Sequence, residues 1–215
     1  PYLLNSGMGV IMGIIAAVFV IIKKDMFTVI FANIDMAQNI IASLLICAAI
    51  FLIGMIYFTS ATLSIEGKTL WILRSLPMSS KDILVSKLKV HIYSTLPVSV
   101  LLWIAINVAC YVNWAFVIYS FLIIAVYTLL TANIGMIENL RHPILDWTDE
   151  AVAVKSGMSV LFTMFINMAI VFLPLLLIIV LSAIDLWITL AIWLVIAGAL
   201  AGASYAWIVT RGVKR

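Results

Sequence analysis

Side chains able to do acid–base or nucleophilic chemistry are sparse in this 215-residue chain, and their spacing argues against a self-contained catalytic centre. Glu66, His91, Glu138 and His142 are the groups an acid–base enzyme could recruit. His91 and His142 are not at metal-ligand spacing, and neither a His-Glu-x-x-His run nor a Gly-x-Ser-x-Gly elbow occurs. Cys47 and Cys110 offer no metal spacing and no disulfide framework, and read as apolar filler. A Gly-rich phosphate-binding loop is also missing, so a nucleotide used by this protein would have to sit on another chain. Inside the apolar runs the polar groups are Asn107, Asn133, Asn167 and scattered Ser and Thr. Such groups bond helix to helix, or contact a substrate.

The elements that carry these residues are set by where charge is absent. The chain is 66% hydrophobic and 10% charged, with a net charge of +3. No Asp, Glu, Lys or Arg occurs in 1–22, 36–65, 90–137, 156–184 or 186–210. A charge at the bilayer centre costs about 3 kcal/mol, and a spanning helix needs about 20 residues, so each run suits lipid and the third holds two spans. An isolated span must satisfy its own backbone, which selects helix. The expected fold is all-α: one transmembrane domain over 1–215 with six spans near 3–22, 39–58, 92–112, 114–136, 158–184 and 186–209. The third and fourth spans turn around Tyr111, Asn113 and Trp114, and the last two around Asp185. Residues 26–34 are apolar but too short to cross, which predicts a re-entrant or interfacial helix. Pro97 and Pro174 are expected to interrupt the third and fifth spans. The opening on Pro1, with no basic residues before the first apolar run, predicts the carboxyl part of a longer protein and no cleavable signal.

Six spans put Lys68, Arg74, Lys81, Lys87, Lys89, Arg141, Lys155, Arg211, Lys214 and Arg215 on one side, against Lys23 and Lys24 on the other. Basic residues in short loops stay in the cytoplasm, so loops 64–89 and 137–156 and both termini are expected there. Because these are short-loop charges and not a patch on a folded domain, nucleic acid is not an expected partner. The lipid bilayer is.

Gly9 and Gly13, and again Gly198 and Gly202, stand at G-x-x-x-G spacing, which puts two small residues on one helix face. They suit packing inside the bundle, or a dimer or moving interface. In the first loop, Leu70, Trp71, Leu73, Arg74 and Pro77 mark a short amphipathic helix ending at a proline. Ser79 and Asp82 then form a capping box for a second helix that carries Lys81, Lys87 and Lys89 toward the third span. A tryptophan on such a short helix suits either lipid headgroups or a pocket in a partner. In the second loop, Thr148 is the expected N-cap, with Asp149 and Glu150 in the first turn.

The stretch Ser64-x-Glu-Gly-Lys-x-x-Trp-x-Leu-x-x-Leu-Pro-x-Ser79 resembles the first cytoplasmic loop of bacterial ABC exporter permeases of the second exporter class. Asn139-Leu with Pro143, Trp147, Glu150 and Lys155 is similar to their next loop, and residues 1–7 to the end of the amphipathic helix before their first span. The basic part of that helix is missing here. The resemblance implies a plasma-membrane, multi-pass unit of six helices with short coupling helices, working as a homodimer or with a second permease half. A separate nucleotide-binding subunit would bind and hydrolyse ATP, so this chain would hold no cofactor. It also implies an ATPase-coupling role for Glu66, Lys68, Trp71, Arg74 and Pro77, with Trp147 and Glu150 at a second contact. Two other readings stay open: a membrane-embedded enzyme acting on lipid or peptide, and an ion-coupled secondary carrier.

Overall fold

Backbone satisfaction without water demands long uninterrupted helices, and the structure consists of them. It is a computed structural model describing residues 7–32, 37–75, 77–110, 113–155, 157–180 and 186–214. The helices are α1 (Met8–Ile22), α2 (Lys24–Ala32), α3 (Ala37–Gly54), α4 (Thr62–Ile65), α5 (Leu70–Ser75), α6 (Ser80–Ala109), α7 (Trp114–Arg141), α8 (Glu150–Lys155), α9 (Met158–Val180) and α10 (Leu186–Thr210). No strand occurs among the described residues. Five segments, containing α3, α6, α7, α9 and α10, are long and apolar enough to cross a membrane, and α1 is a shorter apolar helix of 15 residues. At 1.5 Å per residue α1 rises about 22 Å, less than the hydrocarbon thickness of about 30 Å.

Helix α7 is the hub: α3, α6, α9 and α10 all pack on it, while α1 lies against α6 and α3. The polarity of this bundle is inverted relative to a protein folded in water. Ile15, Phe19, Phe165, Phe172 and Val195 point outward, whereas Thr59, Ser60, His91, Thr95, Thr128, Asn133, Asn139 and Asn167 are buried. Water would penalise so large an apolar exterior, and lipid does not. This is the organisation of a multi-pass membrane protein.

The interior hydroxyls and amides bond within and across helices. Ser99 and Thr128 meet at 3.0 Å between α6 and α7, the Trp193 indole donates to the Tyr127 hydroxyl at 2.8 Å, and the Asn133 amide donates to Ala201 O and Ser204 Oγ at 3.0 Å each. These bonds fix which faces meet.

Several expected boundaries move. The third span and the loop helix before it are one element, since α6 runs unbroken for 30 residues from the Ser79 cap, whose hydroxyl accepts from Asp82 N at 3.1 Å. Pro97 and Pro174 sit inside continuous helices and do not interrupt them. The second span stops at Gly54, short of residue 58, and the backbone turns through a 3-10 stretch at Phe58–Ser60. Side chains from other helices satisfy what the break exposes: Asn167 Nδ2 donates to Gly54 O at 3.1 Å, Ser159 Oγ to Ser60 O at 2.8 Å, and Thr59 Oγ1 donates out to Ala132 O at 2.8 Å. Irregular backbone is tolerable in a membrane bundle only when buried in protein and bonded this way. The expected short helix near 26–34 is α2 at Lys24–Ala32, packed on α6. Tyr111, Asp185 and residues 1–6 lie outside the described residues, while Asn113 caps α7 by accepting from Phe116 N at 2.9 Å.

Candidate functional site

Where α3 breaks and α7 ends, the chain brings its two polar loops into one folded cap. Asn139, fully buried near the end of α7, is the first joint. Its Oδ1 accepts from Leu63 N at 2.7 Å, and its Nδ2 donates to Ser64 Oγ at 2.8 Å. Ser64 then holds the second loop, accepting Ile144 N on its hydroxyl at 3.1 Å and the Trp147 indole N–H on its carbonyl at 2.6 Å. The Lys68 ammonium stands 4.5 Å above the Trp147 ring, a cation–π contact. Beneath them Tyr57, Ala61, Val154 and Val160 form a small apolar core of their own.

Gly67 is the tightest joint. A Cβ built there would lie 2.7 Å from Leu145 O and 2.8 Å from Leu145 Cα, both backbone atoms that cannot rotate away. Gly67→Ala should therefore push the loops apart at a cost of about 1–3 kcal/mol. A red shift of Trp147 fluorescence, with the helix content by circular dichroism unchanged, would check it; an unchanged Trp147 environment would refute it.

The cap is also tied to the bundle by charge. Glu66 makes an ion pair with Lys87 of α6, whose side chain is only 12% exposed. Glu138, buried at the end of α7, pairs with Arg141 at 3.2 Å and faces His142 Nε2 at 3.9 Å. The Thr59 hydroxyl gives its proton to Ala132 O, so the 3.4 Å contact with His91 Nδ1 has the ring as donor. Thus Glu66, His91 and the Glu138–His142 pair, the four acid–base candidates, have separate partners. Among the described residues no three of His, Cys, Asp and Glu converge where a metal could bind.

Of the coupling candidates, the structure gathers Glu66, Lys68 and Trp147 around Ser64 and Gly67. Trp71 lies apart on α5 with 69% of its surface exposed, beside exposed Ile72 and, past the helix end, Pro77 and Met78. Arg74 falls on α5 and Glu150 at the start of α8, and their side chains lie outside the described residues. The cap of α8 is Asp149 and not Thr148, because the Asp149 carboxylate accepts from Ala151 N at 2.9 Å. The two glycine pairs part company. A Cβ added at Gly9 would lie 2.8 Å from Leu52 O and from Met55 C, and one at Gly13 would meet Val98, whereas one at Gly198 or Gly202 would have nothing within 4 Å. Sequence reading placed Lys87 on the second loop helix but missed its pairing with Glu66, 21 positions away, and it passed over Gly135, which sits against Thr59 and Ser60. Neither carries a local signal.

The arrangement is a short helix with an exposed tryptophan, next to a base bonded to both loops and to α6 and α7. No family model, curated protein or solved structure matches the chain.

Proposed function

We propose that this chain is the permease subunit of an ATP-driven ABC exporter, moved by a nucleotide-binding ATPase subunit made by another polypeptide. The observation that carries the reading is α5, which holds Trp71 69% exposed at the tip of a cap braced by Ser64, Gly67 and the Glu66–Lys87 pair. A large apolar side chain displayed in this way suits a pocket in a partner, since anchors of this kind concentrate binding energy. The loop motif that resembles those permeases falls on the same residues.

In this reading α1 is the sixth crossing, and the loops and basic tail face the cytoplasm, as the ten-to-two distribution of Lys and Arg favours. Closure of the ATPase pushes α5 and, through Glu66–Lys87, the long helix α6. Asn139 and Ser64 pass the same push to α7. The helices then rock between inward-open and outward-open states against a second copy or a second permease half. ATP binds and reacts on the partner.

The test is copurification of the full-length protein with its ATPase from native membranes. Trp71→Ala is expected to weaken that association roughly tenfold or more, as loss of a buried tryptophan anchor does, and to abolish ATP-dependent transport. Recovery of no ATPase, or full association and transport in Trp71→Asp, refutes the reading.

A further inference from the structure

On the outer face of the bundle, α6, α7 and α10 leave an open groove of about 430 Å³, with Lys89, Ile92, Leu129, Gly198, Gly202 and Tyr205 among its walls. The missing side chains of Gly198 and Gly202 are what opens it. Its floor is apolar in effect, because the Asn133 amide hydrogens are taken by Ala201 O and Ser204 Oγ. A second groove of about 180 Å³ shares Ile92 and Leu129 with it and continues along α6 and α7 to Val100 and Phe121. There Ser99 and Thr128 bond each other, so this stretch is apolar too.

The depth of this track can be read from helix lengths. About 20 residues cross the hydrocarbon, so counting from the far end of α6 at Ala109 reaches Val90, and from the far end of α10 at Leu186 reaches Tyr205. Lys89 and Tyr205 therefore meet at one level, the headgroup boundary of the loop-side leaflet. From Lys89 to Val100 the helix rises about 16 Å, and one leaflet of hydrocarbon is about 15 Å thick. Lys81 lies about 12 Å nearer the loops on the same helix, turned about 80° from Lys89, and both lysines are exposed and make no ion pair among the described residues.

From this we infer that the groove holds one anionic phospholipid of the loop-side leaflet. Its phosphate sits at Lys89, with the Tyr205 hydroxyl beside it and Lys81 adding longer-range attraction from the loop side, and one acyl chain lies along Gly198, Gly202 and Ile92 toward Phe121. A basic cleft between helices at headgroup depth is suited to anionic headgroups. Docking of a second copy is disfavoured by charge. The facing helix α10 carries no acid and leads into Arg211, so a copy would bring positive charge to Lys89. The inference requires only that the helices cross a bilayer, and it stands apart from the exporter reading.

The full-length protein in detergent, titrated with phosphatidylglycerol or phosphatidylcholine of identical acyl chains, tests this by native mass spectrometry. Phosphatidylglycerol is expected to bind roughly tenfold more tightly, and the double substitution Lys81→Gln with Lys89→Gln should reduce that preference to about twofold or less. Gly202→Leu, which fills the groove, should lower retention of both lipids. Should Gly202→Leu fail to fold, the exposed lysine pair still decides the matter. Equal binding of the two lipids by the unaltered protein, or a preference that survives the lysine substitutions, overturns the inference. Efficient Gly202→Cys cross-linking between copies, with no lipid retained, also overturns it and assigns the groove to a second copy.

Discussion

Asn139→Leu is expected to open the loop end of the protein and to destabilise it by about 3 kcal/mol, because the Leu63 N–H is left without its acceptor and the Ser64 hydroxyl loses one of its two donors. Leucine keeps the branched shape of asparagine but is bulkier by about two methylene groups, so overpacking in this buried site adds to the lost hydrogen bonds. The Leu63 N–H loses its acceptor, and the Ser64 hydroxyl loses the amide that orients it toward Ile144 N. Two further substitutions rank the joints. Ser64→Ala removes the hydroxyl contacts but keeps the carbonyl that accepts from Trp147, and should cost about 1–2 kcal/mol. Trp147→Phe keeps a ring beneath Lys68 and removes one donor, and should cost about 1 kcal/mol. Equilibrium unfolding in mixed micelles gives the order, and trypsin gives the location. Cleavage after Lys68 should accelerate in Asn139→Leu well before the helices yield. Stability within about 0.5 kcal/mol of the parent would show that Asn139 is not the joint described here.

Gly135→Ala should be nearly as damaging, although it adds a single methyl group to a helix and would raise helix propensity in isolation. That methyl would collide with Thr59 Oγ1 and lie 3.1 Å from Ser60 N. Thr59 could turn away only by breaking its bond to Ala132 O and its contact with His91, and Ser60 N is backbone. Overpacking at about 1–3 kcal/mol, with an interhelical bond of about 0.6–2 kcal/mol lost as well, gives an expected cost of about 2–3 kcal/mol. Gly198→Ala is the matched control. It adds the same methyl to a membrane helix with nothing within 4 Å, and should leave stability unchanged or raise it by up to about 1 kcal/mol. Unfolding curves of the two variants side by side check the contrast. Equal effects would mean that the approach of α7 to the break after α3 is looser than the structure has it.

Much of the architecture was legible before any coordinates. A run without charge, long enough to cross lipid, has to be helical because its backbone has no other partner, and α3, α6, α7, α9 and α10 follow from that alone. Local chemistry was readable as well: Ser79 caps α6, and the stretch around Trp71 forms a short helix ahead of Pro77. These are facts of a few neighbouring residues, and a sequence states them directly.

The rest depends on which faces meet, and composition does not encode that. Asn139, Ser64 and Trp147 look like three ordinary loop or helix-end residues until the fold sets them within hydrogen-bond reach across up to 83 positions of chain. The early stop at Gly54 follows because Asn167 and Ser159 arrive from another helix to bond the broken backbone. The two G-x-x-x-G pairs are indistinguishable as patterns, yet one lets α1 close against α3 and α6 and the other leaves a groove open on α10. Burial and hydrogen-bond satisfaction are pairwise quantities between distant segments, so the chain alone fixed its helices and their affinity for lipid, while only the packed bundle decided how two loops become one cap.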